Sequence, residues 1–304
     1  MSKLLLTGCN GFVGSNFRYY LEWQQPYSKI IGLARPTYAD QDIEPNKYTY
    51  YGDLCNEELL LHALRGVDVV YHFAAESHVD RSYKDPYKFA DSNAKGTLTL
   101  LEAARKQQVL QIILFSTDEI YGDESEEFDE DSQFNPTNPY AASKAAAEMF
   151  ANAYKKSYGM DIRIIRSNNI FGPRQNKEKL IPRTITSCLL GERIPIHGTG
   201  QSKRKYIYVE DVCLAVERIA KLGERQGVYN LGGQYESKNI DVVMKIIQKM
   251  GVSEDLIDFV EDRPHNDRHY NICCDRLKQL GWREEIGFEL GLEDTIEWFT
   301  RTLK

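Results

Sequence analysis

A short apolar strand, Leu4-Leu5-Leu6, runs directly into Thr7-Gly8-Cys9-Asn10-Gly11-Phe12-Val13-Gly14 and then into a helical segment. No other feature of the chain limits its fold as tightly. Glycines at 8, 11 and 14 allow a tight turn, close backbone approach to a bulky anion, and close packing of the helix on the sheet. The helix start adds free N–H groups and the positive end of its dipole. The spacing is GxxGxxG, not the commoner GxGxxG, so the turn has two readings: a pyrophosphate cradle or a plain glycine-rich bend. Its position after the first strand points to the cradle, and so to a Rossmann-type sheet carrying a dinucleotide.

The rest of the first half has the matching rhythm. Apolar runs at Ile30-Ile31, Val69-Val70-Tyr71, Ile112 to Phe115 and Ile162 to Ile165 alternate with helix-length segments, including Asn93 to Lys106 and Pro139 to Tyr158. A third strand is expected over Tyr48 to Tyr51. Such alternation predicts a parallel sheet covered on both faces, and near-continuous apolar strands fit that burial. After about residue 167 strands become sparser, and helices are expected over Ile181–Leu190, Val209–Leu222, Ile240–Met250 and Leu290–Thr300. The expected architecture is α/β: a doubly wound dinucleotide-binding domain over 1–166 and a smaller α+β substrate domain over 167–304. About 205–235 is expected to pack back on the first domain. The acidic stretch Asp123 to Asp131 reads as a solvated loop, not a metal site.

Composition excludes several function classes. A net charge of −7 argues against bulk nucleic-acid binding. No apolar run reaches the roughly 20 residues of a membrane span. Met1-Ser2-Lys3 followed at once by a strand has no signal-peptide form. The six cysteines contain no CxxC pair, and Cys273-Cys274 are adjacent, so free thiols and a cytoplasmic location are expected, with no metal site. His72 and His78 read as structural, since no metal spacing links them.

The second strand ends Leu33-Ala34-Arg35, where a sheet that prefers NAD usually carries an acid for the ribose 2′-hydroxyl. Arg35 could receive a 2′-phosphate, which would favour NADP. Equally, it could be a surface loop residue with Asp40 or Asp42 nearby. Asp53, after the third strand, is a candidate for the adenine edge.

Tyr140 and Lys144 stand four apart at the start of a helix opened by Asn138-Pro139, which puts both on one face. A nearby ammonium stabilises phenolate, so the tyrosine is expected to have a lowered pKa and to act as a base. YxxxK alone is weak, but with the glycine turn it signals a short-chain dehydrogenase/reductase. The fifth strand ends Ser116-Thr117-Asp118-Glu119, and ligands of open α/β sheets bind beyond the carboxyl ends of strands. Thr117 can bond a sugar hydroxyl and tune the tyrosine. Hydride transfer needs neither carboxyl. A reaction that removes a C–H proton and expels water needs a base and an acid, and the pair could supply both. The bland reading is a hydrophilic turn.

With these residues assembled, the chain resembles the extended short-chain dehydrogenase/reductase family, and within it the nucleoside-diphosphate-glucose 4,6-dehydratases. The likeness spans nearly the whole chain. It includes Thr7 to Gly14, His72 to Asp80, Ser116 to Gly122, Pro139 to Lys144, Asn168 to Pro173, Glu178 to Pro182, and Asp262 to Asp267. The Asp118-Glu119 pair is its most specific marker, because epimerases and decarboxylases of the superfamily generally have other residues there.

The resemblance implies a three-stage reaction. Tyr140, helped by Lys144 and Thr117, takes the C4 hydroxyl proton while hydride leaves C4. Glu119 removes the C5 proton and Asp118 protonates the departing C6 hydroxyl. The hydride then returns to C6, giving a 4-keto-6-deoxy sugar nucleotide from dTDP-glucose or UDP-glucose. Asp118 must be protonated while Glu119 is ionised, which a coupled pair allows. The resemblance also implies cofactor contacts from Gly8, Asn10, Gly11, Phe12, Val13, Gly14, Asp53, Leu54, Ala74, Ala75, Asn93 and Asn169. Ser77, Asn168, Lys179, Leu180, Arg204, Asn239 and Arg263 match positions that hold the sugar nucleotide. The last third, including His197 and Glu261 to His269, is similar to the UDP-glucose-using domain of plant rhamnose synthases. A homodimer is implied by the same likeness. NAD is typical of the family, although the missing acid and Arg35 leave NADP open. The competing readings are a sugar-nucleotide 4-epimerase or decarboxylase and a non-catalytic dinucleotide sensor.

Overall fold

The computed structural model describes residues 2–24, 29–36, 48–123, 127–262 and 271–303. Seven strands form one parallel sheet: β1 (Lys3–Thr7), β2 (Lys29–Ala34), β3 (Thr49–Tyr51), β4 (Val69–His72), β5 (Gln111–Thr117), β6 (Ile162–Ser167) and, later in the chain, β10 (Val228–Leu231). Their spatial order is β10-β6-β5-β4-β1-β2-β3. The order reverses between β1 and β4, and a crevice opens at the carboxyl ends of the strands there.

Burial explains why these runs are strands. β6 is buried at every position, and β1 at four of five. Alternate side chains face opposite layers. Leu4 and Leu6 join Phe17, Leu21, Val212 and Val216 on one face, under the helices Phe12–Gln24 and Val209–Leu222. Leu5 points the other way, into a core with Leu60, Leu100, Ala104 and Ala151. The sheet is therefore covered on both sides.

Beyond β6 the chain builds smaller sheets. β7 (Asn169–Phe171), β9 (Lys203–Tyr208) and β11 (Tyr235–Lys238) make a three-stranded sheet, and β8 (Ile194–His197) pairs with β12 (Ile257–Val260). Phe171, Tyr206, Val242 and Phe288 share a third core with the helices Leu180–Leu190, Asn239–Met250 and Phe288–Thr302. The segment Val209–Leu231 leaves this region, lays its helix over β1 and adds β10 beside β6.

Two local expectations change. The helix read from Asn93 begins as a π-helical stretch, Ala90–Lys95, and turns α-helical only at Gly96–Lys106. The acidic stretch is not simply solvated. Phe128 bridges to Ile272, and Glu130 is 7 % exposed because its Oε1 accepts from the Asn230 N–H at 2.9 Å while Arg276 lies beside it. Among the described residues of the stretch, Glu127, Asp129 and Asp131 keep the expected exposure, and residues 124–126 lie outside the described residues. His72 is buried between the hydroxyls of Thr7 (2.7 Å) and Thr97 (2.9 Å), and burial pushes its pKa down to about 3, so it is a neutral structural link. Among the described residues no helix is long and apolar enough to cross a membrane.

Candidate active site

The glycine turn closes as its sequence requires. Gly8 has φ +69°, its N–H donates to the Leu33 carbonyl at 2.8 Å, and its own carbonyl accepts from Gly11 at 2.8 Å. A Cβ at Gly8 would sit 2.8 Å from the Ala74 nitrogen, and one at Gly14 would collide with the Gly8 carbonyl. The turn thus brings β1, β2 and the loop after β4 together in a cradle that side chains would fill. The helix Phe12–Gln24 starts at its lip.

A single cavity runs from this cradle to the end of β5. Gly8, Asn10, Gly11, Phe12, Val13, Gly14, Arg35, Asp53, Leu54, Ala74, Ala75 and Asn169 line one part of it. Thr117, Asp118, Glu119, Tyr140, Lys144, Ser77, Asn168, Lys179 and Leu180 line the rest. Asn93 stands behind the wall. Its amide exchanges two hydrogen bonds with the Glu76 backbone, at 2.8 and 2.9 Å, and donates to Ser143 Oγ at 2.8 Å. Asn93 therefore ties the loop after β4 to the helix bearing Tyr140.

Other sequence candidates lie off the cavity. His197 contacts the Glu261 carbonyl at the β8–β12 pair, and Asn239 accepts from the Tyr206 hydroxyl at 3.2 Å. Arg204 is buried and donates to the Lys203 carbonyl, yet its charge still acts on Asp118. Arg263, Asp40, Asp42 and His269 fall outside the described residues.

Asn138 caps the helix Pro139–Tyr158, accepting from the Ala141 N–H at 2.9 Å. The same side chain donates to Glu119 Oε2 at 3.1 Å, so the cap that starts the Tyr140 helix also holds Glu119. Asp118 is 2 % exposed. Asn168 Nδ2 donates to its Oδ2, and Thr117 Oγ1 donates to its Oδ1 at 3.3 Å. Burial first, and then the Glu119 carboxyl, push Asp118 up to about 7. Both causes disfavour a second negative charge in a closed site. Below this turn, Tyr121 accepts from Arg166 at 2.7 Å and donates to Asn230 at 2.8 Å, and Arg166 pairs with buried Glu148 at 2.8 Å. A packed charge network thus fixes the backbone that presents both carboxyls.

The Tyr140–Lys144 expectation needs correcting in one respect. Lys144 Nζ donates to the Phe115 carbonyl at 2.6 Å, and burial lowers its pKa to about 8. Burial and the Glu119 charge raise the Tyr140 pKa, against a smaller lowering by Thr117. Lys144 therefore braces strand against helix through this bond.

Sequence reasoning did not single out Glu76, which pairs with Arg35, or Arg174, which lines the cavity and stacks over Tyr19. An arginine where an acid is usual was the available signal for the first. Two buried oxygens in the wall, Ser116 Oγ and Asn168 Oδ1, have no protein partner, a demand that a bound polar ligand would meet.

Residues 5–295 match the model of a family described as GDP-mannose 4,6 dehydratase. The chain belongs to that family. Among members similar to it, the low-salt glycan biosynthesis protein Agl12 of Haloferax volcanii is 39% identical over 305 residues, covering 97% of this chain and 98% of that one. A trifunctional UDP-glucose 4,6-dehydratase/UDP-4-keto-6-deoxy-D-glucose 3,5-epimerase/UDP-4-keto-L-rhamnose-reductase of Arabidopsis thaliana is 39% identical over 313 residues. That match covers 98% of this chain and 47% of the plant protein, so the chain spans about half of it. The crystal structure of DesIV, a dTDP-glucose 4,6-dehydratase from Streptomyces venezuelae with NAD and TYD bound, superposes with a TM-score of 0.93 at 35% identity, covering 98% of this chain and 97% of that one. In this family member the Asp118-Glu119 pair and the glycine cradle thus face one cavity.

Proposed function

We propose that the protein is a sugar-nucleotide 4,6-dehydratase, a hydro-lyase that converts dTDP-glucose or UDP-glucose to the 4-keto-6-deoxy sugar nucleotide and water. The observation that carries this reading is the adjacent pair at the end of β5: a buried carboxyl held near pKa 7 beside a second, less buried one. Water elimination needs an acid and a base at neighbouring carbons, and neither oxidation nor epimerisation at C4 calls for both.

NAD is the cofactor of this reading; the backbone at Gly8, Gly11 and Gly14 and the residues Ala74, Asp53 and Leu54, which line the cavity, would hold it. When bound it would supply a hydride acceptor able to give the same hydride back. Tyr140 takes the C4 hydroxyl proton, and Thr117 shares the hydrogen bonding of that proton. Once C4 is a ketone, its C5 proton is acidic. Glu119, held by Asn138, removes it and gives a proton back to C5 when hydride returns to C6. Asp118, protonated through burial, gives its proton to the C6 hydroxyl as the C–O bond breaks. Lys144 keeps β5 and the Tyr140 helix in register through the Phe115 carbonyl. Lys179 and Asn168 are suited to the diphosphate and sugar.

In the same reading residues 1–166, with about 205–235, bind the dinucleotide, and the remainder of 167–304 binds the sugar nucleotide. The six cysteines form no disulfide, which supports a cytoplasmic location. A homodimer belongs to it too. Tyr87 at 81 % and Met149 at 51 % exposure are large apolar side chains that a second copy could cover. A monomer in light scattering at working concentration would refute the dimer.

Incubation with dTDP-glucose and with UDP-glucose, followed by mass spectrometry, tests the activity. Loss of one water from either sugar nucleotide, abolished in Asp118→Asn and Glu119→Gln, is the expected result. No loss from either, with dinucleotide bound, overturns the reading.

A further inference from the structure

β2 ends in Leu33, Ala34 and Arg35, without the carboxylate that usually meets the ribose 2′-hydroxyl. Taken alone, the strand end favours a 2′-phosphate, because a guanidinium fits one in fork geometry. The structure places a carboxylate against that guanidinium from another loop. Glu76 Oε1 accepts from Arg35 Nη2 at 2.6 Å and lies 3.2 Å from Lys88 Nζ. The Glu76 side chain is 4 % exposed and that of Arg35 is 25 % exposed. Glu76 has little room to withdraw, because its N–H and carbonyl are both bonded to buried Asn93. Burial would raise its pKa, but Arg35 and Lys88 outweigh burial and hold it below the usual range, so the group stays ionised.

We infer that Glu76 is the selectivity residue of the ribose subsite, holding Arg35 so that the site takes NAD and turns away the 2′-phosphate of NADP. This rests on reading the cavity as a dinucleotide site. A 2′-phosphate that drew Arg35 Nη2 away from Glu76 would leave a buried carboxylate with half-exposed Lys88 as its remaining cation. The same phosphate would lie close to that carboxylate, where burial strengthens repulsion. A free 2′-hydroxyl demands no such exchange. The acid expected at the end of β2 is thus supplied from the loop after β4, acting through Arg35.

Fluorescence titrations of NADH and NADPH into the full chain test this, with wild type, Glu76→Gln, Arg35→Ala and the double variant. Wild type is expected to prefer NADH. Glu76→Gln should narrow that preference by roughly tenfold or more, the worth of one hydrogen bond to a charged group, through a gain in NADPH affinity. The double variant should lose that gain. Arg35→Ala alone should weaken NADPH further while largely keeping NADH, and it carries the test if Glu76→Gln does not fold. Wild type preferring NADPH, a ratio unmoved by Glu76→Gln, or a gain of NADPH affinity in Arg35→Ala overturns the inference. If neither nucleotide binds wild type, the dinucleotide reading itself fails. If both bind and only the ratio stays fixed, that reading survives and the role of Glu76 does not.

Discussion

The two ends of the cavity are built from different materials. The cradle end is main chain: Gly8, Gly11 and Gly14 contribute space and N–H groups, and their role depends on having no side chain. The β5 end is side chain: Thr117, Asp118, Tyr140 and Lys144 are all buried, and Glu119 and Thr117 act on the protonation of both Asp118 and Tyr140. A main-chain site tolerates changes of charge and fails on a single added carbon. A side-chain site tolerates small changes of shape and fails on a change of charge. Variants of minimal volume at one end and of minimal charge at the other should therefore separate binding from chemistry.

The largest effect is expected at Glu119. Glu119→Gln keeps the volume and the Asn138 hydrogen bond but removes the base, so turnover should fall by about 10²–10⁴. Dinucleotide affinity, measured by titration, should stay as in wild type. A parallel loss of nucleotide binding would mean that the two ends are not separable. The mirror experiment is Gly8→Ala. The new Cβ meets Ala74 at 2.8 Å, and the residue must hold φ +69°. Strain and clash should lower folding stability by about 2–3 kcal/mol in chemical denaturation, with a clear loss of nucleotide affinity. Unchanged nucleotide affinity in a folded Gly8→Ala protein would remove the cradle from the argument.

This contrast also decides what could be read from the sequence. The cradle is local: three glycines in seven positions after an apolar strand determine both turn and contact. Tyr140 and Lys144 are likewise local, and so is the bare adjacency of Asp118 and Glu119. Their surroundings are not. The Asn168 amide reaches Asp118 across 50 positions, and Glu76 reaches Arg35 across 41. The hydrogen bond from Lys144 to the Phe115 carbonyl depends on how β5 lies under the helix. Periodicity reports which face of an element is buried, but it does not report which distant side chain ends up opposite. Glu130 shows the same limit, since its acidic neighbourhood concealed a buried partner for Asn230.

A smaller effect concerns stability. The folded pKa of Asp118, about 7, is above its ordinary value of 3.8. Between those values the folded state binds the extra proton, so this group's ionisation lowers stability progressively as pH rises from about 4 through about 7. Asp118→Asn cannot ionise and can still accept from Asn168. Its melting temperature should match wild type near pH 4 and exceed it at pH 8, by about 1–2 kcal/mol of stability after relaxation of the site. A wild type that is the more stable at pH 8 would show that the buried carboxylate is better solvated than the closed pocket implies.

The smallest effect is also the sharpest test of the coupled pair. As the acid, Asp118 must hold its proton, so water elimination should be full below about pH 7 and fall tenfold per unit above it. The Asn168 amide favours the ionised carboxyl, opposing burial and Glu119. Removing that donor in Asn168→Ala should therefore move the alkaline limb upward, by up to about one unit for one hydrogen bond. Asn168 also lines the cavity, so the height of the profile will change for reasons of substrate binding, whereas the position of the limb reports the acid alone. An alkaline limb that stays in place would mean that burial and Glu119 set the protonation of Asp118 without Asn168. A limb that moves downward would mean that Asn168 accepts from the protonated carboxyl instead of donating to it.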